Sequence, residues 1–250
     1  MPKKGEVFLK VKYFRHVCQL PMNKITVICF KKFSLYDAGF NLKKRIEYIR
    51  NKIIFPFGFT FNDENLFLTD SNNSQVIKMD YNCKVIKTYG SAGDESNEFN
   101  IIQGIFWHRK KLYICDNLNK RIHVLTDDLN FIELISLPFC PKHIYITDTV
   151  AFITGFLETH FLYIYNLNDW TLKSKFCSSN QITKILSLFY SYNRDRYTLQ
   201  CFNSDGEIIE EFYMSKFKFE RFPISFEAVF LHNNALHFFP KSGKCYKLSL

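Results

Sequence analysis

The stretch Leu112-Tyr113-Ile114-Cys115-Asp116-Asn117-Leu118-Asn119-Lys120-Arg121-Ile122-His123-Val124-Leu125 reads as two short strands joined by a polar loop. Apolar residues run up to Asp116, the chain turns on Asp-x-x-Asn, and a second apolar run resumes, a strand–loop–strand signal. Asp and Asn suit such a loop because their short side chains hydrogen-bond nearby backbone and tolerate left-handed conformations. The phrase has an earlier copy, Leu66-Phe67-Leu68-Thr69-Asp70-Ser71-Asn72-Asn73-Ser74-Gln75-Val76-Ile77-Lys78-Met79. Asp70 and Asp116 stand 46 residues apart, a period of propeller blades rather than of helical hairpin repeats.

Working outward, each copy sits in a larger unit. One unit opens at Phe55-Pro56-Phe57-Gly58-Phe59 and closes with residues 84–89; the next opens at Gln103-Gly104-Ile105 and closes with Phe131-Ile132-Glu133-Leu134-Ile135. Between them, Gly90-Ser91-Ala92-Gly93 to Glu98-Phe99 reads as a polar connection. Strand-like runs separated by turn residues continue on both sides. Turns centred near Gly39, Cys83, Leu129, Asp169 and Gly206 are 44, 46, 40 and 37 residues apart. The last unit, Ser225 to Leu250, supplies three strands and stops, while residues 6–13 form a strand with no preceding partner. The expected fold is therefore all-β: a single domain over residues 1–250, a six-bladed β-propeller whose N-terminal strand completes the C-terminal blade. Closing the ring in this way removes exposed sheet edges.

Composition agrees. With 28 Phe, 14 Tyr and 47% hydrophobic residues in 250, the chain is neither disordered nor helix-biased. No apolar run approaches the roughly 18 residues that span a bilayer, so no membrane association is expected. Residues 1–6 lack the pattern of a secretory leader. Its eight cysteines are scattered singly, without a Cys-x-x-Cys pair, as small hydrophobes of a reducing, cytoplasmic compartment would be. The net charge of +9 would favour polyanions or an acidic partner, but it is spread along the whole chain.

At Pro56-x-Gly58-Phe59 through Asp70-Ser71-x-Asn73, and again at Gly104-Ile105 through Asp116-x-x-Asn119-x-Arg121-Ile122-x-Val124, the chain resembles the NHL repeat. The linker from Tyr89-Gly90 to Glu98-Phe99 is similar to that family's Phe-Gly-x-x-Gly connection. Gln75 stands where the repeat carries Arg. The resemblance implies a toroidal platform; relatives use it to hold proteins or single-stranded RNA or, in an amidating lyase branch, a catalytic metal.

Three functions follow as expectations. The first is a non-enzymatic interaction module holding a protein partner, with no cofactor. The second is single-stranded RNA binding, which needs basic and aromatic side chains on one face. Loop positions would bring Lys32, Phe33, Asn73, Asn119, Lys120, Arg121 and Arg194 to such a face, near Phe55 and Phe139. Arg121 has a competing structural role, an ion pair with an Asp such as Asp70. The third and most distant is a metal-dependent lyase of the propeller type. His16 and His143 align with Gly58 at the start of innermost strands, where both would face a central channel, but two histidines underfill a metal site. His108 and His232 fall at the opposite ends of such strands. No nucleophile elbow or phosphate-binding loop is present.

Overall fold

The computed structural model describes residues 6–10, 14–20, 24–29, 32–37, 41–49, 52–158, 160–177, 182–185, 188–193, 198–213, 226–232, 235–240 and 244–249. The described elements are all strands. After β1 (Glu6–Lys10), the first sheet comprises β2 (Phe14–Leu20), β3 (Lys24–Cys29), β4 (Lys32–Tyr36) and β5 (Leu42–Ile46), followed by a small hairpin, β6 (Tyr48–Ile49) and β7 (Lys52–Ile53). The second comprises β8 (Pro56–Phe61), β9 (Asn65–Asp70), β10 (Gln75–Asp80) and β11 (Val85–Tyr89). In the linker, β12 (Ser91–Ala92) and β13 (Glu98–Phe99) pair in parallel, so the expected plain connection carries an element of its own.

The third sheet is β14 (Ile102–His108), β15 (Lys111–Asp116), β16 (Arg121–Thr126) and β17 (Phe131–Ser136); the fourth is β18 (Cys140–Ile146), β19 (Val150–Phe156), β20 (His160–Asn166) and β21 (Leu172–Cys177). The fifth is β22 (Ile182–Ile185), β23 (Leu188–Asn193), β24 (Thr198–Phe202) and β25 (Ile208–Tyr213). In the last, β26 (Phe226–His232), β27 (Ala235–Pro240) and β28 (Lys244–Ser249) are joined by β1, which pairs antiparallel with β28. Among the described residues the result is six four-stranded antiparallel sheets, besides the two small two-stranded pairs, in a propeller-like arrangement. First strands of neighbouring sheets lie side by side, β8 against β14 and β14 against β18 among them. No described helix is long and apolar enough to cross a membrane.

The core lies between successive sheets, and strand periodicity explains it. Side chains alternate across a strand, so Leu66 and Leu68 pack toward Phe33 and Phe59, while Phe67 packs toward Ile105, Leu112 and Ile114. Tyr113 and Cys115 of β15 then turn to Ile144 and Tyr163 of the fourth sheet, whose Phe152 and Ile164 meet Phe202 of the fifth. A middle strand buried on both faces is thus apolar at nearly every position. The outermost strands β5 and β21 are largely exposed.

The turns between third and fourth strands use left-handed residues at Cys83 (φ 59°), Leu129 (φ 58°), Trp170 (φ 56°) and Gly206 (φ 80°). At Gly206 a Cβ would also lie 2.7 Å from Ile164 Cγ2, so glycine is required there for space as well as conformation.

Candidate functional site

The repeated Asp-x-x-Asn phrase organises the end of the sheets at which each first strand begins, the leading end. Asp70 and Asp116 are fully buried rather than solvated loop residues. Asp70 Oδ1 accepts from the Phe55 backbone N–H at 2.8 Å, and Asp116 Oδ1 accepts from that of Asn100 at 2.8 Å. Their second oxygens accept from Asn73 Nδ2 at 2.6 Å and Asn119 Nδ2 at 2.8 Å. The next residue reaches the following sheet: the Ser71 hydroxyl donates to the Ile102 carbonyl, and Asn117 Nδ2 donates to the Pro141 carbonyl at 2.8 Å. Each phrase therefore fixes the start of its own first strand and that of its neighbour, leaving few buried polar groups unpaired.

Close backbone packing does the rest. A Cβ at Gly58 would lie 2.6 Å from the Gln103 carbonyl oxygen, and one at Gly104 would lie 2.8 Å from His143 Cα. Gly58, Gly104 and His143 occupy corresponding places at the irregularities near the starts of β8, β14 and β18. With only a glycine between them on β14, Phe57 of the second sheet and His143 of the fourth meet ring to ring at 5.2 Å. Phe57 is buried and His143 half-buried. On β14, the strand between theirs, Gln103 Oε1 is buried without a hydrogen-bond partner. An unpaired buried carbonyl is costly, and a polar partner such as a water or a ligand group would relieve it. Gln103 and Phe57 escape a reading of single motifs; superimposing Phe57-Gly58, Gln103-Gly104 and Lys142-His143 as equivalent dipeptides brings them out.

The residues expected on a binding face lie elsewhere or are engaged. Phe33 is fully buried and packs on Phe59 at 5.3 Å, and Phe139 is fully buried, stacked on Tyr163 at 3.7 Å. Alternation along their strands turns both rings into the core. Lys32 pairs with Glu47 at 3.3 Å. Asn73 is tied to Asp70 and Asn119 to both Asp116 and the Gly93 carbonyl. Arg121 pairs with Asp116, not Asp70, at 2.7 Å and donates to the carbonyls of Asp94, Glu95 and Glu98. Lys120 is exposed in a left-handed turn (φ 51°). Arg194 lies outside the described residues. The backbone of His16 pairs with that of Ile28, its side chain lying outside those described. Among the described residues no group of three His, Cys, Asp or Glu is gathered to hold a metal.

At the opposite end, His108 Nε2 stands 3.4 Å from Asp148 and Arg109 stands 2.8 Å from the same carboxylate. Burial lowers the His108 imidazole below its usual range, with Asp148 opposing that shift. The His232 side chain lies outside those described.

No protein family matches the sequence, and no curated protein sequence does. Solved structures do match. A streptogramin B lyase superimposes with a TM-score of 0.65 at 14% identity over 98% of this chain and 97% of its own. A catalytically inactive virginiamycin B lyase from Staphylococcus aureus, with quinupristin, gives 0.65 at 13% over 99% of each. A protein of unknown function from Bacteroides caccae gives 0.60 at 11%, over 79% of this chain and 80% of its own. The first two overturn the expectation of a non-enzymatic scaffold for a protein or RNA partner, because the folds matched from end to end are those of catalytic lyases. At these identities the likeness is one of fold: an all-β, propeller-like chain of the architecture used by the streptogramin and virginiamycin lyases.

Proposed function

We propose that this chain is a lyase built on a single, closed six-bladed propeller of NHL-like repeats, with its reacting centre at His143 on the leading end. The ring is supported by β1 pairing with β28 and by the adjacency of β22 to β26 and of β26 to β2. NHL-like character is supported by the matching hydrogen-bond sets of Asp70 and Asp116. A reducing, cytoplasmic setting is consistent with the free thiols of Cys83, Cys115 and Cys201 in the core.

The observation that carries the catalytic reading is the meeting of Phe57 and His143 across β14, the strand that also holds the unpaired Gln103 amide oxygen. A lyase breaks a carbon–heteroatom bond by elimination. His143 takes the proton from the carbon beside a substrate carbonyl, that electron pair becomes the new double bond, and the heteroatom departs with its bonding pair. The protonated imidazole then returns the proton to the leaving group. The orphaned Gln103 Oε1 accepts a hydrogen bond from a substrate N–H and so holds the substrate in register with the base. Phe57 closes one side of the imidazole to water.

The test is incubation of the purified chain with quinupristin, followed by mass spectrometry and absorbance. Elimination opens a ring at unchanged mass and creates a double bond, whereas hydrolysis adds one water. His143→Ala should lower turnover by about 100-fold or more with an unchanged melting temperature. Full activity in that variant, or no elimination by the wild type, would refute the assignment.

A further inference from the structure

A polar row crosses the fifth sheet beside an apolar contact. Phe202 of β24 packs against Phe152 and Phe176 of the fourth sheet, with ring centroids 6.2 and 5.4 Å apart. Alternation along the strand places Gln200 and Thr198 on the same face of β24 as Phe202. Both are polar, and both are buried, at 3% and 0% exposure. The register sets Ser191 of β23 opposite Gln200 on one side and Glu211 of β25 opposite it on the other. Directly opposed residues of an antiparallel pair share a face, so Ser191, Thr198, Gln200 and Glu211 stand on one side of the sheet.

Two of these groups lack a partner: Gln200 Oε1 and Thr198 Oγ1 are buried with no hydrogen bond. The Gln200 amide gains nothing by turning over. Its Nε2 donates to Glu211 Oε1 at 2.6 Å, and a flipped amide would set one oxygen against another. The orphaned atom is therefore an acceptor. Glu211 itself is half-buried and, among the described residues, makes no ion pair and no other hydrogen bond.

The set thus offers oxygen atoms and one negative charge to a group that carries positive charge. Burial this deep at Thr198 and Gln200 suits a single small ion rather than the end of a larger molecule, and a water would leave the Glu211 charge without an opposite. Oxygen-only ligands suit hard cations, and carbonyl oxygens hold K⁺ and Na⁺ in other proteins. One carboxylate balances one positive charge, whereas a Ca²⁺ site gathers several.

We propose that Gln200 Oε1, Thr198 Oγ1, the Ser191 hydroxyl and the Glu211 carboxylate bind a monovalent alkali cation, Na⁺ or K⁺, on the face of the fifth sheet that meets the fourth. The ion joins β23, β24 and β25 and neutralises Glu211. Its binding is independent of any chemistry at His143.

The experiment is thermal unfolding of the full chain in sodium, potassium and choline chloride at equal ionic strength, for wild type, Gln200→Leu and Glu211→Gln. Wild type should melt higher in one or both alkali salts than in choline, by about 5 °C or more at about 100 times the dissociation constant. The salt that raises the melting temperature further names the ion. Both variants should lose the difference between salts, since Gln200→Leu removes the central acceptor and Glu211→Gln keeps the shape but removes the charge. Should Gln200→Leu fail to fold, Glu211→Gln alone decides. Equal melting of wild type in all three salts, as a bound water would give, overturns the proposal, and so does a preference for alkali cations that either variant retains.

Discussion

Arg121 Nε donates to Asp116 Oδ2 at 2.7 Å inside the third sheet, and the same guanidinium holds the carbonyls of Asp94, Glu95 and Glu98. One residue thereby neutralises a fully buried carboxylate and pins the linker between the second and third sheets. In the second sheet the corresponding pair is Gln75 and Asp70, 3.4 Å apart.

Arg121→Ala leaves Asp116 as an unpaired buried charge and frees three carbonyls, so a loss of about 3–5 kcal/mol is expected by urea denaturation. Arg121→Gln copies the second sheet's solution and should recover part of it. An alanine variant as stable as wild type would show that Asp116 is held well enough by Asn119 and the Asn100 N–H alone.

Gly104→Ala places a methyl 2.7 Å from the Lys142 carbonyl oxygen and 2.8 Å from His143 Cα. Overpacking of this kind costs about 1–3 kcal/mol, and here it also displaces the proposed base. Gly58→Ala crowds β14 instead. The two should lose comparable stability in urea, with the larger fall in quinupristin turnover for Gly104→Ala; equal falls would argue against a special position for His143.

His123 is fully buried among Phe99, Phe131 and Tyr89, with ring distances of 4.6, 5.4 and 5.8 Å. Burial, helped by the Arg121 charge, lowers its imidazole from 6.5 to about 4. Between those values the unfolded chain takes up a proton that the folded chain refuses. Stability contributed by the neutral ring is therefore full above pH 6.5 and drains as pH falls toward 4, by up to about 1.4 kcal/mol per pH unit. Denaturation midpoints measured from about pH 7 down to about pH 4.5 should fall less steeply in His123→Gln than in wild type. Parallel slopes would assign the pH dependence to other groups.

Phe139 is fully buried, stacked at 7° on Tyr163, and its ring lies where a Cβ on Gly155 would be, 2.4 Å away. Phe139→Ala should cost about 3–5 kcal/mol in the same denaturation assay. A loss below about 0.5 kcal/mol, the scale of an ordinary surface substitution, would return Phe139 to the surface.

The sheet architecture is legible in the residues alone, because alternation of apolar side chains and a repeated turn phrase are local properties with a set period. Leu66 to Leu68 and Leu112 to Cys115 can be read as middle strands, and the N-terminal strand, described over Glu6–Lys10, as the one that completes the last sheet, without knowing any contact. The Asp-x-x-Asn loops are legible as turns, but the burial of Asp70 and Asp116 is not: it depends on which N–H groups the strand starts bring to them. The inward turn of Phe33 and Phe139 is likewise hidden, since a residue beside a loop can face either way until its register is set. That Phe57 and His143, 86 residues apart in the chain, share one place is a property of the folded molecule. Their meeting depends on the missing side chain of Gly104 and on three neighbouring first strands, a relation between sheets that no local pattern encodes.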